Sequence, residues 1–281
     1  MAASDDTSQG YLPHLSLPRK GYVLRAEKHH DEFLTGNAAA DWVMLKLNTA
    51  KTLADDGITA EEYGGPGISV ITTTTGLDSW IKNLDDTDER DILRDFQPDA
   101  HVPGDHPTYS NHESGRRTRN VMECMEITLY LYEELGHQIA FIPLIKGEEQ
   151  WERQICYDVL EEMGINYCAV YTKQHFGPGA GYQKTKLVQD LQDVAASTSV
   201  DEILTIGLQS TNLLKLAPPQ VVATAGKGWI WETEYRNRSR QKAIRRLGET
   251  STAIEAELGH GQMSLGMYAD QSVQGGVADG R

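Results

Sequence analysis

Residues 138–147, QIAFIPLIKG, 148–164, EEQWERQICYDVLEEMG, and 165–173, INYCAVYTK, form one unit of the chain. The first piece is an apolar run that stops at Lys-Gly. The second places its apolar residues at helical spacing and stops at a glycine, a common helix terminator. The third is again apolar and rich in β-branched and aromatic residues. Neither flanking run alternates cleanly between polar and apolar, as expected of strands covered on both faces. A strand, a helix and a second such strand imply parallel pairing through a right-handed crossover.

The same alternation extends in both directions. Strand-like runs occur at 21–27 (GYVLRAE), 41–47 (DWVMLKL), 68–75 (ISVITTTT, after the breaker GGPG), 99–105 (DAHVPGD), 201–207 (DEILTIG) and 220–226 (QVVATAG). Helical periodicity appears near 78–95, at 121–136, 186–197 and 210–217. This count and order predict an α/β fold, a (β/α)8 TIM-type barrel, rather than an open sheet. The glycines of GGPGI and GPGAG precede no phosphate-binding helix, so a dinucleotide fingerprint is absent. The expected organisation is an N-terminal extension at 1–20, a barrel domain at 21–247 and a flexible tail at 248–281, rich in Gly, Ser and Gln.

The 281 residues carry a formal net charge of −15, with 39% hydrophobic and 24% charged residues. This is the composition of a packed globule. No run of eighteen apolar residues occurs, so no membrane span is expected. The first ten residues lack the layout of a secretory leader, so a cytoplasmic location is expected. Cys124, Cys156 and Cys168 are not at metal-ligand spacing and suit small buried hydrophobes in a reducing compartment. His29-His30 has no second cluster nearby to complete a metal set. No metal or cofactor is expected.

Charge is unevenly placed. Residues 227–246 hold Lys227, Arg236, Arg238, Arg240, Lys242, Arg245 and Arg246 against Glu232 and Glu234, interleaved with Trp229, Trp231 and Tyr235. Such residues suit a phosphate backbone and stacked bases. They equally suit the solvated face of a late helix with its tryptophans in the core.

In a barrel, chemistry sits at the C-terminal strand ends. Those ends gather Glu27, Asp105, Lys146-Gly147, Tyr171, Lys173, Gly207 and Gln209. A carboxylate there can accept two coplanar N–H donors, as on a guanine-like edge. Gly147 and Gly207 would admit a flat ring, Tyr109 or Tyr171 could stack on it, and Lys146 and Lys173 could hold a phosphate or carbonyl oxygen. Alternatively, Asp105 caps a turn beside Pro107 and Lys146 is an exposed loop lysine.

Four stretches then carry a resemblance: PDAHVPGDHPTY, RNVMECMEITLYLYEEL, IAFIPLIKGEEQWERQICYDVLEEMGINYCAV and DEILTIGLQSTNLLKLAPPQVV. In pattern and order the chain resembles the tRNA-guanine transglycosylases and their DNA-modifying 7-deazaguanine relatives, over roughly residues 96–225. The resemblance implies that Asp105 binds the purine edge, that Asp99 lies near the strand start and that Gly147 lies against the heterocycle. It implies exchange of guanine in nucleic acid for a 7-deazaguanine base, through carboxylate attack on the sugar carbon.

The chain departs from the family at two acids. ITTTTGL, residues 71–77, has Thr73 or Thr74 where one is expected, and QVVATAG has none. Asp105 itself, Glu27 or Asp78 would then have to act, with Glu232 and Glu234 as further candidates. The zinc-binding cysteine cluster of the tRNA enzymes is also absent, which favours DNA over tRNA as partner. Arg116, Arg117 and Arg119, with Arg236, Arg238, Arg240 and Lys242, would hold the backbone. A non-catalytic base-binding subunit and a Schiff-base lyase using Lys146 or Lys173 are the competing expectations. A homodimer or a partner subunit is left open.

Overall fold

Apolar, β-branched strands separated by amphipathic helices give a single eight-stranded parallel sheet. The computed structural model describes residues 17–259 apart from 35, 77, 82–85 and 178–180. The strands are β1 (Gly21–Ala26), β2 (Trp42–Lys46), β3 (Ser69–Thr73), β4 (Ala100–Val102), β5 (Ala140–Phe141), β6 (Tyr167–Tyr171), β7 (Glu202–Ile206) and β8 (Val221–Gly226). Each is followed by a helix: α1 (Asp31–Leu34), α2 (Leu47–Asp55), α3 (Asp86–Phe96), α4 (Ser114–Leu135), α5 (Gln150–Met163), α6 (Lys184–Ala195), α7 (Thr211–Leu214) and α8 (Arg240–Glu255). A two-residue-per-arm hairpin, Phe176–Gly177 with Gly181–Tyr182, lies outside the sheet.

The strand order is β5-β4-β3-β2-β1-β8-β7-β6, so, β5 and β6 apart, strands consecutive in the chain pair with one another, and β1 pairs with β8. The sheet curls, and no ladder joins β5 to β6. One isolated parallel bridge, Leu144 with Ala169, spans that gap. There the Ala169 N–H donates to the Pro143 carbonyl at 2.8 Å, and the Ile145 N–H donates to the Ala169 carbonyl at 2.9 Å. The Ile142 N–H turns the other way, to His101 of β4. Pro143 stands where the chain next faces β6, and it has no N–H to give. That missing donor is a physical reason for the thin seam.

Register separates the two faces. Arg25 pairs with Met44, Met44 with Ile71 and Ile71 with Ala100, while Lys46 pairs with Thr73 and Thr73 with Val102. These residues share one face, because paired residues of parallel strands project alike. His101 falls on the other face, where its Nε2 meets Glu89 of α3 at 2.7 Å and its Nδ1 meets Thr72 Oγ1 at 2.7 Å. The His101 face is therefore covered by helices, and the Arg25 face is the concave one. Leu24, Val43, Val70 and Leu204 are fully buried. Burying a side chain of this kind is worth about 1.5–3 kcal/mol.

Both chain ends of the described region pack against the sheet. The Tyr167 hydroxyl donates to the Pro18 carbonyl at 2.7 Å, and Leu17 packs on the core. Residues 1–16 of the expected extension lie outside the described residues. At the other end, α8 runs past 248, where the composition suggested a tail. Leu247, Ile254 and Leu258 are buried, and the Gly259 N–H meets the Val221 carbonyl at 3.3 Å. Residues 260–281 lie outside the described residues. Two further boundaries shift. Strand β4 ends at Val102, not at Asp105, because Pro103 offers no donor and Gly104 turns the chain with φ +60°. The helical stretch near 78–95 is two pieces, Asp78–Ile81 and α3. Among the described residues, no helix is long and apolar enough to cross a membrane.

Candidate active site

Asp105 lies three residues beyond β4, at the C-terminal edge of the sheet, and is 4% exposed. Its backbone N–H donates to Thr74 Oγ1 at 3.0 Å. Its Oδ2 accepts the Gly76 N–H at 2.9 Å, and its Oδ1 pairs with the Lys146 ammonium. Gly76 turns with φ +78°, a region that favours glycine, and a Cβ there would approach the Tyr171 hydroxyl to 3.2 Å. Four segments distant in sequence therefore converge on Asp105: the turn after β3, the loop after β4, the end of the 138–147 run and the end of β6.

This convergence forms a cleft of about 200 Å³ lined by Asp105, Tyr109, Lys146, Tyr171 and Lys173, together with Pro107, Thr108 and Gln174. Five residues singled out from the sequence thus meet in one place. Larger clefts lie between α2 and α3 and beside α8. Asp105 and Lys146 line neither, so size does not identify the site.

No protein-family model matches the chain, and no curated protein matches it.

Other expected residues lie elsewhere or serve the fold. Asp99 is at the opposite end of β4, where its Oδ2 accepts the Val70 N–H at 2.7 Å. A ligand at the Asp105 rim is out of its reach. Gly147 has φ +114°, and a Cβ on it would sit 2.7 Å from Glu152 Cβ. Packing against α5 thus already requires the glycine. Gly207 has φ +108° and lies beside Thr172 and Lys173. Gln209 is a strap: its Oε1 accepts the Gly228 N–H at 2.8 Å and its amide donates to Tyr22. Glu27 pairs with Lys227 across the β1–β8 edge. That hydrogen bond holds its carboxyl below the ordinary range. The side chain of Asp78 lies outside the described residues. Glu232 and Glu234 are exposed, and Glu234 pairs with Arg238 at 3.0 Å.

Among the expected backbone contacts, Arg117 turns inward. Its Nε meets Glu152 at 3.0 Å and its Nη1 donates to the His112 carbonyl at 2.8 Å. It is buried and belongs to no surface patch. Arg116, Arg119, Arg236, Arg240 and Lys242 are exposed, and Arg238 is half-buried. Trp229 is fully buried against Phe33, with rings 5.4 Å apart and parallel, whereas Trp231 is 70% exposed. The basic segment is thus part core and part surface. His30 is buried, accepts the Glu27 N–H through Nδ1 and is pushed down to about 4, chiefly by burial. Burial also raises all three thiols, Cys124, Cys156 and Cys168.

Sequence reasoning missed Arg25 and Lys46. Arg25 is 7% exposed in β1, and its Nη2 donates to the Thr75 carbonyl at 3.3 Å. Burial lowers its pKa, while Tyr171 and then Asp105 oppose that shift. The Lys46 ammonium donates to the Gly76 carbonyl at 3.2 Å. Burial first, then Arg25, Lys227 and Lys173, lower its pKa. In the sequence they stand as an arginine inside GYVLRAE and a lysine ending DWVMLK, and the register turns both inward.

Proposed function

We propose that the chain is a nucleobase-binding (β/α)8 barrel of the guanine transglycosylase type, exchanging guanine in nucleic acid for a 7-deazaguanine base. The observation that carries this reading is the Asp105 cleft. A carboxylate fixed by a backbone N–H and a lysine faces a small space flanked by Tyr109 and Tyr171. Ligand pockets commonly span about 300–1,000 Å³. A cleft of about 200 Å³ suits one flat heterocycle rather than a larger ligand. Strand order supports a TIM-like curled sheet, left unclosed between β5 and β6, where only the Leu144–Ala169 bridge spans the gap.

In this assignment Asp105 accepts the N–H pair of the base edge, and a tyrosine covers the ring face. Glu27, held ionised by Lys227, is assigned as the carboxylate that attacks the sugar carbon. Attack forms a C–O bond as the C–N bond to guanine breaks, guanine leaving with the electron pair and taking up a proton. The incoming 7-deazaguanine gives up its N–H proton and forms a new C–N bond as the C–O bond to Glu27 breaks. DNA is favoured as acceptor because the three cysteines of the sequence are not at metal-ligand spacing, unlike the zinc cluster of the tRNA enzymes. A second reading, a base-binding subunit without exchange, has its own support. Asp105 and Glu27 are both tied to lysines, and Thr73 and Thr74 occupy the place of an expected acid.

The test is incubation with labelled guanine or a labelled 7-deazaguanine and either duplex DNA or tRNA. Label entering DNA, and lost in Asp105→Asn and Glu27→Gln, is expected. Base binding with no incorporation, even with cell extract added, would select the second reading.

A further inference from the structure

The mouth of the sheet carries more positive charge than a neutral base needs. Arg25 from β1, Lys46 from β2, Lys146 after β5, Lys173 after β6 and Lys227 after β8 gather at the C-terminal rim of a chain with net charge −15. The carboxylates of this rim are already engaged: Asp105 takes Lys146 and Glu27 takes Lys227. Among the described residues, Arg25, Lys46 and Lys173 have no carboxylate within ion-pairing distance.

Arg25 and Lys46 instead donate to the carbonyls of Thr75 and Gly76. An ammonium has three donors and a guanidinium five, so donors remain to point into the mouth. Arg25 is buried and Lys46 half-buried, with Lys173 exposed at the edge, and burying a cation without an ion pair is costly unless an anion joins it. Lys46 lies near Arg25, Lys227 and Lys173, whose positive charge outweighs the opposing Glu27. That excess is unfavourable in the empty protein and favourable around a multiply charged oxyanion.

We propose that the mouth binds the phosphate of the same purine nucleotide whose base lies against Asp105, with Arg25, Lys46 and Lys173 as the phosphate donors. Only the base end of this proposal rests on the exchange reading. The phosphate end rests on the rim cations and stands without it. The Gly76 turn links the two ends, since its N–H holds Asp105 and its carbonyl holds Lys46. A tetrahedral anion suits donors arriving from separate strands, as these do. Two sources share this chemistry: a free nucleoside monophosphate, and a nucleotide turned out of a DNA strand with its flanking phosphate.

The experiment is calorimetric titration of the full chain with guanine, guanosine, guanosine 5′-monophosphate, ribose 5-phosphate and a guanine-containing single-stranded oligonucleotide. The monophosphate is expected to bind at least tenfold more tightly than guanosine, and ribose 5-phosphate to compete with it. Lys46→Met, outside the base cleft, should remove most of that advantage while leaving guanosine affinity unchanged. Lys173→Met, at a residue that also lines the base cleft, should lower the ratio of monophosphate to guanosine affinity. Arg25 is a poor test, because its burial beneath Thr75 ties it to folding. Equal affinity for guanosine and its monophosphate, or a phosphate advantage untouched by both lysine variants, overturns the proposal. Ribose 5-phosphate binding with no binding of guanine or guanosine keeps the phosphate site and overturns the purine reading. The oligonucleotide binding more tightly than the monophosphate identifies a strand as source, and the reverse identifies the free nucleotide.

Discussion

Asp105 is a carboxylate whose position is set before any ligand arrives. The Gly76 N–H and the Lys146 ammonium hold one oxygen each, which leaves further lone pairs on both for a base edge. Asp105→Asn replaces one acceptor oxygen with a donor and removes the charge beside Lys146. Hydrogen bonds to charged groups are worth about 1.5–3 kcal/mol, so guanine affinity is expected to fall roughly 10- to 150-fold, read by titration. Glu27 offers a pH-dependent check. Lys227 lowers its pKa in the folded chain. The pair's stabilisation is therefore fully present above the ordinary glutamate range and is lost as pH falls through the lowered folded value. An exposed pair of this kind contributes at most about 1 kcal/mol. Melting curves from neutral pH down to acid should show the wild type losing its small advantage over Glu27→Gln below the ordinary range. An advantage unchanged by acid would deny the pairing. Asp105, Lys146 and Tyr171 were legible in the sequence because each closes an apolar run. Arg25 and Lys46 were not, because their partners, Thr75 and Gly76, lie far along the chain. Only the register shows that they face one mouth.

The elements owe their order to a few buried polar ties. Glu152, fully buried in the first turn of α5, accepts the N–H groups of Glu148 and Glu149 at 2.8 Å and 3.1 Å. Arg117 of α4 then neutralises it. This tie fixes α4 against α5 and with them the turn that presents Lys146. Removing one partner of a buried ion pair costs about 3–5 kcal/mol, because the other charge stays buried. Arg117→Met should lower the urea midpoint accordingly, whereas exposed Arg116→Met should change stability by less than about 0.5 kcal/mol. Similar loss in both variants would show that Glu152 does not depend on Arg117. Strands and helices were legible because apolar periodicity survives in each. The inward turn of Arg117 was not, because RRTR reads as one basic surface run. Nor was the length of α8. Gly248 and the polar run after it suggest a break, and an interior glycine costs about 1 kcal/mol in a helix. Burial of Leu247 on one side and Ile254 and Leu258 on the other outweighs that cost.

At the scale of the whole molecule the charges divide by place. The chain carries a net charge of −15 against a basic mouth, and a second basic strip of the sequence, the exposed Arg236, Arg240 and Lys242, follows the exposed Trp231. An acidic globule does not coat itself with nucleic acid, so any strand it binds must be held at such local patches. Each phosphate neutralised releases counterions and steepens the fall of affinity with salt, by about 0.9 log units per log unit of salt for a duplex and about 0.7 for a single strand. If the strip lies along the backbone, replacing Arg236, Arg240 and Lys242 together with glutamine should reduce that slope by about 2–3. The loss should be uniform across base sequences, since phosphate contacts carry no sequence information. Affinity for the free monophosphate should not change, because the mouth is built from other strand ends. An unaltered slope in the triple variant would remove the strip from the interface and leave the mouth to hold the nucleotide alone.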